Sequence, residues 1–219
     1  MTEWTSDKTA AHQGVGAALK VVDGVLSYMK DTKGKPSAKE RALYAAAVVF
    51  TYGIWENYVE QLAIEIATQM AQLIRPEKVP ERIRKTLEKR TPWELTVSPG
   101  WRSLWIQTVK QQAIGDEDDN YGLNTAKAGQ VKNLLELAGV QDAFAGLKAV
   151  TLPTHLGTSV KEPSDAINRL VELRGEIVHT GKVPDVLRKQ HVHAWRLFIE
   201  DTTVAIDDSC RQKCKQQLS

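Results

Sequence analysis

Apolar residues recur at intervals of three and four along most of this chain, which is the spacing of amphipathic helices. The first such run consists of Val15, Ala18, Leu19, Val22, Leu26 and Met29. It follows Thr5, Ser6 and Asp7, whose side chains can cap a helix N-terminus, so we expect the first helix to begin there. No segment alternates convincingly between apolar and polar residues with a period of two. The pattern therefore predicts an all-α fold.

A long second helix is predicted from about Ala38 to Ile74, because no proline interrupts the pattern and Ser37 and Glu40 match a capping box. Its apolar side carries Tyr44, Val48, Tyr52, Trp55, Val59, Leu62 and Ile66. Glu56 lies beside this stripe. A carboxylate in such a position is usually a solvated flank residue, but it is also well placed to meet a buried cation from another helix.

An insertion of short helices is expected over about residues 75–122, where prolines divide the chain. Residues 75–90 carry seven Lys or Arg and three Glu. Such a segment is either a solvated helix with alternating charges or a face that attracts phosphate. Residues 91–100 are expected to form a loop and residues 101–114 a helix. Three tryptophans of the insertion are either core residues or platforms for stacked bases: Trp93, Trp101 and Trp105.

The second half of the chain is also predicted to be helical. Asn124 is the expected N-cap of a helix that ends near Gly139, and residues 141–150 are expected to form a short helix. A loop containing proline and glycine then leads to a helix at about residues 163–180. Pro184 is well placed to begin the last helix.

The helix at 163–180 has an arginine where its periodicity demands an apolar residue. Its apolar positions are Ile167, Leu170, Val171, Ile177 and Val178. Arg174 falls in the middle of this stripe. Because arginine is rarely buried without a partner, Arg174 either extends out of the stripe or meets an anion or a partner chain. His179 follows in the expected last turn, and Gly181 suits the left-handed residue that ends a helix.

Composition narrows the class of protein. The chain has 219 residues, 42% of them hydrophobic, and we expect a single helical-bundle domain over residues 1–219. Its net charge of +2 means that any nucleic-acid binding must come from a local patch. Cys210 and Cys214 are expected to be reduced thiols, and we expect no metal and no cofactor. The most apolar run, residues 44–55, is shorter than the ~20 residues that cross a bilayer, so we expect a cytoplasmic protein without membrane contact.

The segment LVELRGEIVHTG, at residues 170–181, resembles the motif of an arginine, four residues and a histidine in the HEPN superfamily, and most of all in its RiboL-PSP-HEPN and MAE_28990 branches. Arg174 and His179 are the matching positions. The family commonly has a polar residue after the arginine, where this chain has Gly175. It commonly has glycine directly after the histidine, where this chain has Thr180. The resemblance extends over roughly residues 37–219.

This resemblance implies a metal-independent endoribonuclease that acts as a homodimer, with a composite site between two copies. His179 would be the general base or acid, and Arg174 would hold phosphate and stabilise charge. Glu56 would orient Arg174. Attack by a 2′-hydroxyl would restrict cleavage to RNA. The candidates for contact with the RNA backbone flank the motif helix and are Lys161, Lys182 and Arg188.

Helical geometry allows the composite site without requiring it. Residues five apart are separated by about 140° around an ideal helix, so Arg174 and His179 of one copy do not share a face. A ribonuclease of this type would have RNA as substrate and, as a toxin or anti-phage defence effector, a cognate antitoxin or another defence-system partner. One alternative is a non-catalytic HEPN-like module that binds RNA or nucleotide or that dimerises, which Gly175 favours. Another is a helical scaffold in which Arg174 forms a structural ion pair.

Overall fold

The fold of the chain consists of helices. The computed structural model describes residues 7–29, 34–89, 91–98, 100–116, 122–153 and 160–219. Within these ranges all regular secondary structure is helical, which confirms the predicted all-α class. None of the helices found there is both long enough and apolar enough to cross a membrane.

Eight α-helices lie in the described residues. In chain order they are α1 (Ala10–Ser27), α2 (Ala38–Leu73), α3 (Glu81–Thr86), α4 (Pro92–Val97), α5 (Trp101–Ile114), α6 (Ala128–Leu137), α7 (Pro163–Thr180) and α8 (Lys189–Leu218). Two 3₁₀ segments, Pro76–Lys78 and Ala143–Ala149, accompany them. The long helix α2 packs against α1, α5, α7 and α8, so the core is built around it.

Helix α2 begins where the sequence predicts. The backbone N–H of Ser37 donates to Glu40 at 2.8 Å, and the N–H of Glu40 donates to the Ser37 hydroxyl at 3.2 Å, which completes the capping box. Farther along, the fully buried Trp55 donates its indole N–H to the carbonyl of Ala126 at 2.8 Å. The polar atom of a large core side chain is thereby satisfied and fixes the 122–127 segment on α2.

Helix α1 is tied to two other helices at its N-terminus. Its N-cap is Thr9, not Asp7, while Thr5 and Ser6 lie outside the described residues. Glu65 of α2 accepts hydrogen bonds from the N–H groups of Ala10 and Ala11, each at 3.1 Å. Asp207 of α8 is only 1% exposed and accepts from both the hydroxyl and the N–H of Thr9. These carboxylates satisfy N–H groups that have no partner within the helix.

Residues 91–98 contain a helix that the sequence pattern did not predict. Residues 91–100 were expected to form a loop, but helix α4 lies there, because Pro92 suits the first turn and Thr91 and Glu94 form a capping box. In the basic segment before it, Arg82 pairs with Glu136 and Lys85 pairs with Glu81.

The three tryptophans between residues 91 and 105 divide between core and surface. The rings of Trp101 and Trp105 are each 1% exposed and stack at 6.1 Å between centroids. The Trp105 indole donates to the carbonyl of Leu137 at 2.8 Å. Trp93 is 71% exposed, so it alone of the three has a ring face open to solvent.

Two further predicted helix starts, those of α6 and α8, are wrong. Helix α6 begins at Ala128, and its N-cap residue is Lys127 rather than Asn124. The helix is capped from outside by Asn168 of α7, whose side-chain oxygen accepts from the Ala128 N–H at 3.0 Å. Helix α8 begins at Lys189 rather than near Pro184, because the ring of His191 accepts from the Arg188 N–H at 3.2 Å and caps the helix there. Residues 141–150, predicted as a short helix, contain the 3₁₀ segment Ala143–Ala149.

The two cysteines are free and buried in α8. Burial raises the pKa of the Cys214 thiol to about 12, and burial followed by the neighbouring Cys214 raises the pKa of Cys210 well above its ordinary value. Thiols held in the protonated form are poor nucleophiles and poor metal ligands, so these side chains act as core residues.

Candidate functional site

Helix α7 presents the predicted apolar stripe, with an arginine inside it. Its buried residues are Ala166, Ile167, Leu170, Val171, Leu173 and Ile177. Arg174 lies on the same side of the helix and is half-buried. Its Nε is buried and has no hydrogen-bond partner within the described part of the chain. A desolvated guanidinium N–H without an acceptor is costly, which marks this position as one that a bound anion would favour.

An aromatic ring supports the Arg174 guanidinium. Its Cζ atom lies 5.1 Å from the centroid of the Tyr52 ring, and Tyr52 is 2% exposed. A cation within about 6 Å of an aromatic face is attracted by the ring quadrupole, an interaction of roughly 0.5–2 kcal/mol. Tyr52 therefore compensates part of the cost of burying a charge on the apolar stripe.

The Tyr52 hydroxyl connects this ring to the predicted carboxylate. It donates to Glu56 Oε1 at 2.5 Å and accepts from the Ala126 N–H at 3.2 Å. Burial and then the hydrogen bond to Glu56 raise the pKa of Tyr52, so the phenol stays neutral. Glu56 was expected to orient Arg174 itself. In the structure Glu56 bonds to Tyr52, and Tyr52 in turn lies under Arg174.

A second carboxylate lies one turn farther along α2. Glu60 is half-buried, and its burial, followed by the charge of Glu56, raises the pKa of Glu60 to about 7. Two carboxylates at this spacing on a helix are neighbours and repel each other when both are ionised. The carboxyl of Glu60 therefore keeps its proton to a higher pH than an ordinary glutamate does.

His179 is exposed in the last turn of α7. A Cβ atom built on Gly175 would lie 4.0 Å from His179 Cδ2, an ordinary van der Waals contact, so the imidazole lies beside the glycine and leaves room for a methyl group. The Thr180 hydroxyl donates to the Glu176 carbonyl at 2.5 Å and accepts from the Lys182 N–H at 3.1 Å. Gly181 then ends the helix in the left-handed conformation at φ 66°. Because Thr180 lies between His179 and the C-cap Gly181, the helix continues one residue beyond His179.

The three predicted RNA contacts do not form one cluster. Lys182 is exposed directly after α7. Arg188 uses its guanidinium to donate to the carbonyls of Asp185 and Leu187 at 2.6 and 2.9 Å. Lys161 precedes α7, at the end opposite His179, and the helix between them is about 24 Å long at ~1.5 Å per residue. Lys161 therefore belongs to a different surface from Lys182.

Tyr52 is the site residue that sequence reasoning missed. It reads as one more apolar member of the α2 stripe. The available signal was its position four residues before Glu56, since a buried tyrosine needs a partner for its hydroxyl. Its second partner, Ala126, is 74 positions away and could not be found from local sequence.

Arg174 could hold an anion and His179 could transfer a proton, but these two side chains of one chain do not face the same point. Arg174 and His179 are separated by about 140° around α7 and by about 7.5 Å along it. Within the described residues no group of three His, Cys, Asp or Glu side chains is arranged to hold a metal ion.

Comparison with known proteins identifies the family. Searches of curated proteins and of solved structures gave no match. The family model for RiboL-PSP-HEPN matches residues 24–212, a range that contains Tyr52, Glu56, Arg174 and His179. Most of α1 lies before that range. Since the match covers far more than half of the sequence, the chain belongs to the RiboL-PSP-HEPN family.

Proposed function

We propose that this protein is a HEPN-type endoribonuclease that cleaves RNA without a metal ion. The observation that carries the proposal is the half-buried guanidinium of Arg174, whose Nε has no hydrogen-bond partner among the described residues and which lies five residues before an exposed histidine. Membership of the RiboL-PSP-HEPN family supports the same assignment, because domains of the HEPN type are usually ribonucleases or nucleotide-binding modules.

The proposed reaction is an internal transesterification. The 2′-oxygen attacks the adjacent phosphorus as its proton is removed, and the bond to the 5′-oxygen breaks as that oxygen receives a proton. The products are a 2′,3′-cyclic phosphate and a free 5′-hydroxyl. An imidazole can accept and donate protons near neutral pH, so His179 would perform one or both transfers. Arg174 would hold the non-bridging oxygens and stabilise the charge of the phosphorane.

The reaction centre would be formed by two copies. Because Arg174 and His179 of one chain point to different sides of α7, a two-fold axis near the end of this helix would bring groups from both chains to one phosphate. A half-buried arginine and an exposed histidine are suited to such an interface. Sedimentation should therefore detect a dimer at micromolar concentration, and a strict monomer would remove the composite site.

Glu56 enters this proposal through Tyr52. The phenol supports the Arg174 guanidinium with its ring and is itself fixed by hydrogen bonds to Glu56 and Ala126. Tyr52 and Glu56 are thus positioning residues. Lys182 lies directly after the helix that carries His179 and would contact the RNA backbone near the scissile phosphate.

The test is cleavage of a labelled RNA by the wild type and by His179→Ala, Arg174→Lys and His193→Ala. His193 is an exposed histidine of α8 and serves as the matched control. We expect His179→Ala and Arg174→Lys to lose at least ~100-fold in rate and His193→Ala to keep it. DNA of the same sequence should remain intact. Equal RNA loss by wild type and His179→Ala would remove the catalytic assignment.

A ribonuclease of this kind would serve as a toxin or an anti-phage effector with a protein antitoxin as its partner. In that case expression should arrest growth, and Arg174→Ala should relieve the arrest. Growth arrest that persists in Arg174→Ala would contradict this role.

A non-catalytic module is the second candidate, because Gly175 stands where the family commonly has a polar residue. Glycine offers no side chain beside His179 that could contact a substrate. RNA binding by the wild type without the appearance of a cyclic phosphate would favour this candidate over the enzyme.

A further inference from the structure

A basic cleft lies at the end of α7 opposite His179. Two depressions of about 380 and 370 Å³ lie beside Phe144 and share Lys132, Phe144 and Lys148 in their walls. Lys213 lines the first depression and Lys161 lines the second. We call these depressions together the Phe144 cleft. Its lysines come from α6, the 3₁₀ segment, α8 and the residues before α7, so the fold gathers charges that are distant in sequence.

The lining of the Phe144 cleft carries an excess of positive charge. Across the described ranges of the chain, none of the four forms an ion pair, whereas Arg82 already pairs with Glu136, one of the acids in the wall. Asp142 and Glu162 are the remaining acids of the lining. The four lysines therefore exceed the unpaired carboxylates by two. A concave wall with this excess concentrates anions.

Phe144 lies in the walls of both depressions and holds one of the lysines in place. It is 9% exposed, and Lys132 Nζ lies 5.1 Å from its ring centroid. The ring attracts this ammonium and limits where it can go, so Lys132 is partly preorganised to meet a phosphate. Pro163 and Ser164, at the N-terminus of α7, line the second depression, and the dipole of this long helix adds to the positive potential there.

We propose that the Phe144 cleft binds the sugar-phosphate backbone of the RNA substrate at a distance from the cleaved bond. This inference rests on the proposed ribonuclease function, because α7 connects the cleft to His179 over about 24 Å. Lysines act on phosphates as point charges and carry no base-reading geometry, so the cleft would strengthen binding of long RNA without sequence preference. A dinucleotide bound at His179 would not reach it.

The experiment measures RNA binding in the His179→Ala background, where the ligand stays intact. The probe is a labelled single-stranded RNA of roughly 12 nucleotides, which exceeds the ~24 Å of the helix even at ~3.4 Å per nucleotide. Lys132→Glu/Lys148→Glu is compared with Lys20→Glu/Lys110→Glu, which changes net charge equally at exposed lysines outside the cleft. Lys132→Gln/Lys148→Gln is the milder variant should the charge reversal unfold the protein.

We expect the cleft variant to weaken binding of the long RNA by about tenfold or more and to lower the slope of log affinity against log salt by about 1.4, or ~0.7 for each lost phosphate contact. The control variant should keep both values. Affinity and salt slope indistinguishable between the cleft variants and the control would overturn the proposal.

Cleavage measured separately keeps the two hypotheses apart. With His179 present, the cleft variant should cleave a dinucleotide at the wild-type rate and lose rate only on long RNA. If the wild type cleaves no RNA but the cleft variants lose binding, the ribonuclease proposal fails and the cleft assignment stands. If the wild type cleaves RNA and the cleft variants bind the long probe as the control does, the cleft assignment fails alone.

Discussion

The guanidinium of Arg174 lies over the ring of Tyr52, 5.1 Å from its centroid, and the hydroxyl of that ring donates to Glu56. The same hydroxyl accepts from the Ala126 N–H, so one side chain joins α2, α7 and the 122–127 segment. A neutral ring thus supports the arginine, which forms no ion pair with any of the described residues. This leaves its full positive charge available for a phosphate.

Tyr52→Phe should test this support. The change keeps the ring but leaves the Ala126 N–H and the Glu56 carboxylate without their partner, so we expect a loss of about 1–3 kcal/mol in the free energy of unfolding in urea. Tyr52→Leu should in addition lower the rate of RNA cleavage, because the ring under Arg174 is gone. Tyr44→Phe is the matched control in the same helix. Equal losses from the two Tyr→Phe changes would contradict the role of the hydroxyl.

Gly175→Ala should stabilise the protein. Glycine inside a helix costs roughly 0.5–1 kcal/mol relative to alanine, and the new Cβ would lie at an ordinary contact distance of 4.0 Å from His179. A thermal melt should therefore show a higher midpoint. Gly53→Ala, at an exposed glycine of α2 with open space around it, should give a similar gain. A lower midpoint for Gly175→Ala would indicate that this position cannot hold a side chain.

Glu60 should make stability depend on pH. The pKa of Glu60 is about 7 in the folded protein and 4.5 for an ordinary glutamate, so between these values the folded state binds more protons than the unfolded state. The contribution of Glu60 to the free energy of unfolding is therefore fully present below pH 4.5 and is lost as the pH rises through about 7. Thermal melts at acidic and mildly alkaline pH should show a smaller loss for Glu60→Gln than for the wild type. Identical losses in the two proteins would contradict the raised pKa.

Asn168→Ala should weaken the start of α6. Its side-chain oxygen accepts from the Ala128 N–H at 3.0 Å, and loss of an N-terminal cap costs typically about 1 kcal/mol. Asn124→Ala is the control, because Asn124 is exposed and the helix does not begin there. In chemical unfolding, the free energy of unfolding should be lower for Asn168→Ala, while Asn124→Ala should stay near the wild type. A larger loss of stability for Asn124→Ala than for Asn168→Ala would indicate that Asn124 caps α6 after all.

Local signals in the sequence were sufficient for much of the fold. The capping box of Ser37 and Glu40 and the left-handed Gly181 involve neighbours in the chain, so the starts and ends that they set were predicted correctly. The cap of α6 comes from Asn168, forty positions away, and no local pattern carries such information. The start of α8 was missed because His191 caps it through a ring nitrogen, which is not among the usual capping groups.

In the candidate site, too, local sequence reveals some residues and not others. Arg174 stands out in the sequence because it breaks a periodic stripe, and it is half-buried there. Tyr52 obeys the periodicity of α2, so nothing distinguished it from the core residues around it. The Phe144 cleft escaped notice, apart from Lys161, because its lysines come from four separate segments that only the tertiary fold brings together.

The attachment of α1 determines where the folding unit begins. Thr9 supplies the hydrogen bonds to Asp207, while Val15, Leu19 and Val22 are buried in the core. Truncation at residue 24 would uncover one side of α2, remove the Thr9 donors from Asp207 and delete the apolar side chains that α1 buries in the core. Recombinant fragments must therefore start upstream of Thr9, and shorter ones are expected to aggregate or to be degraded during expression.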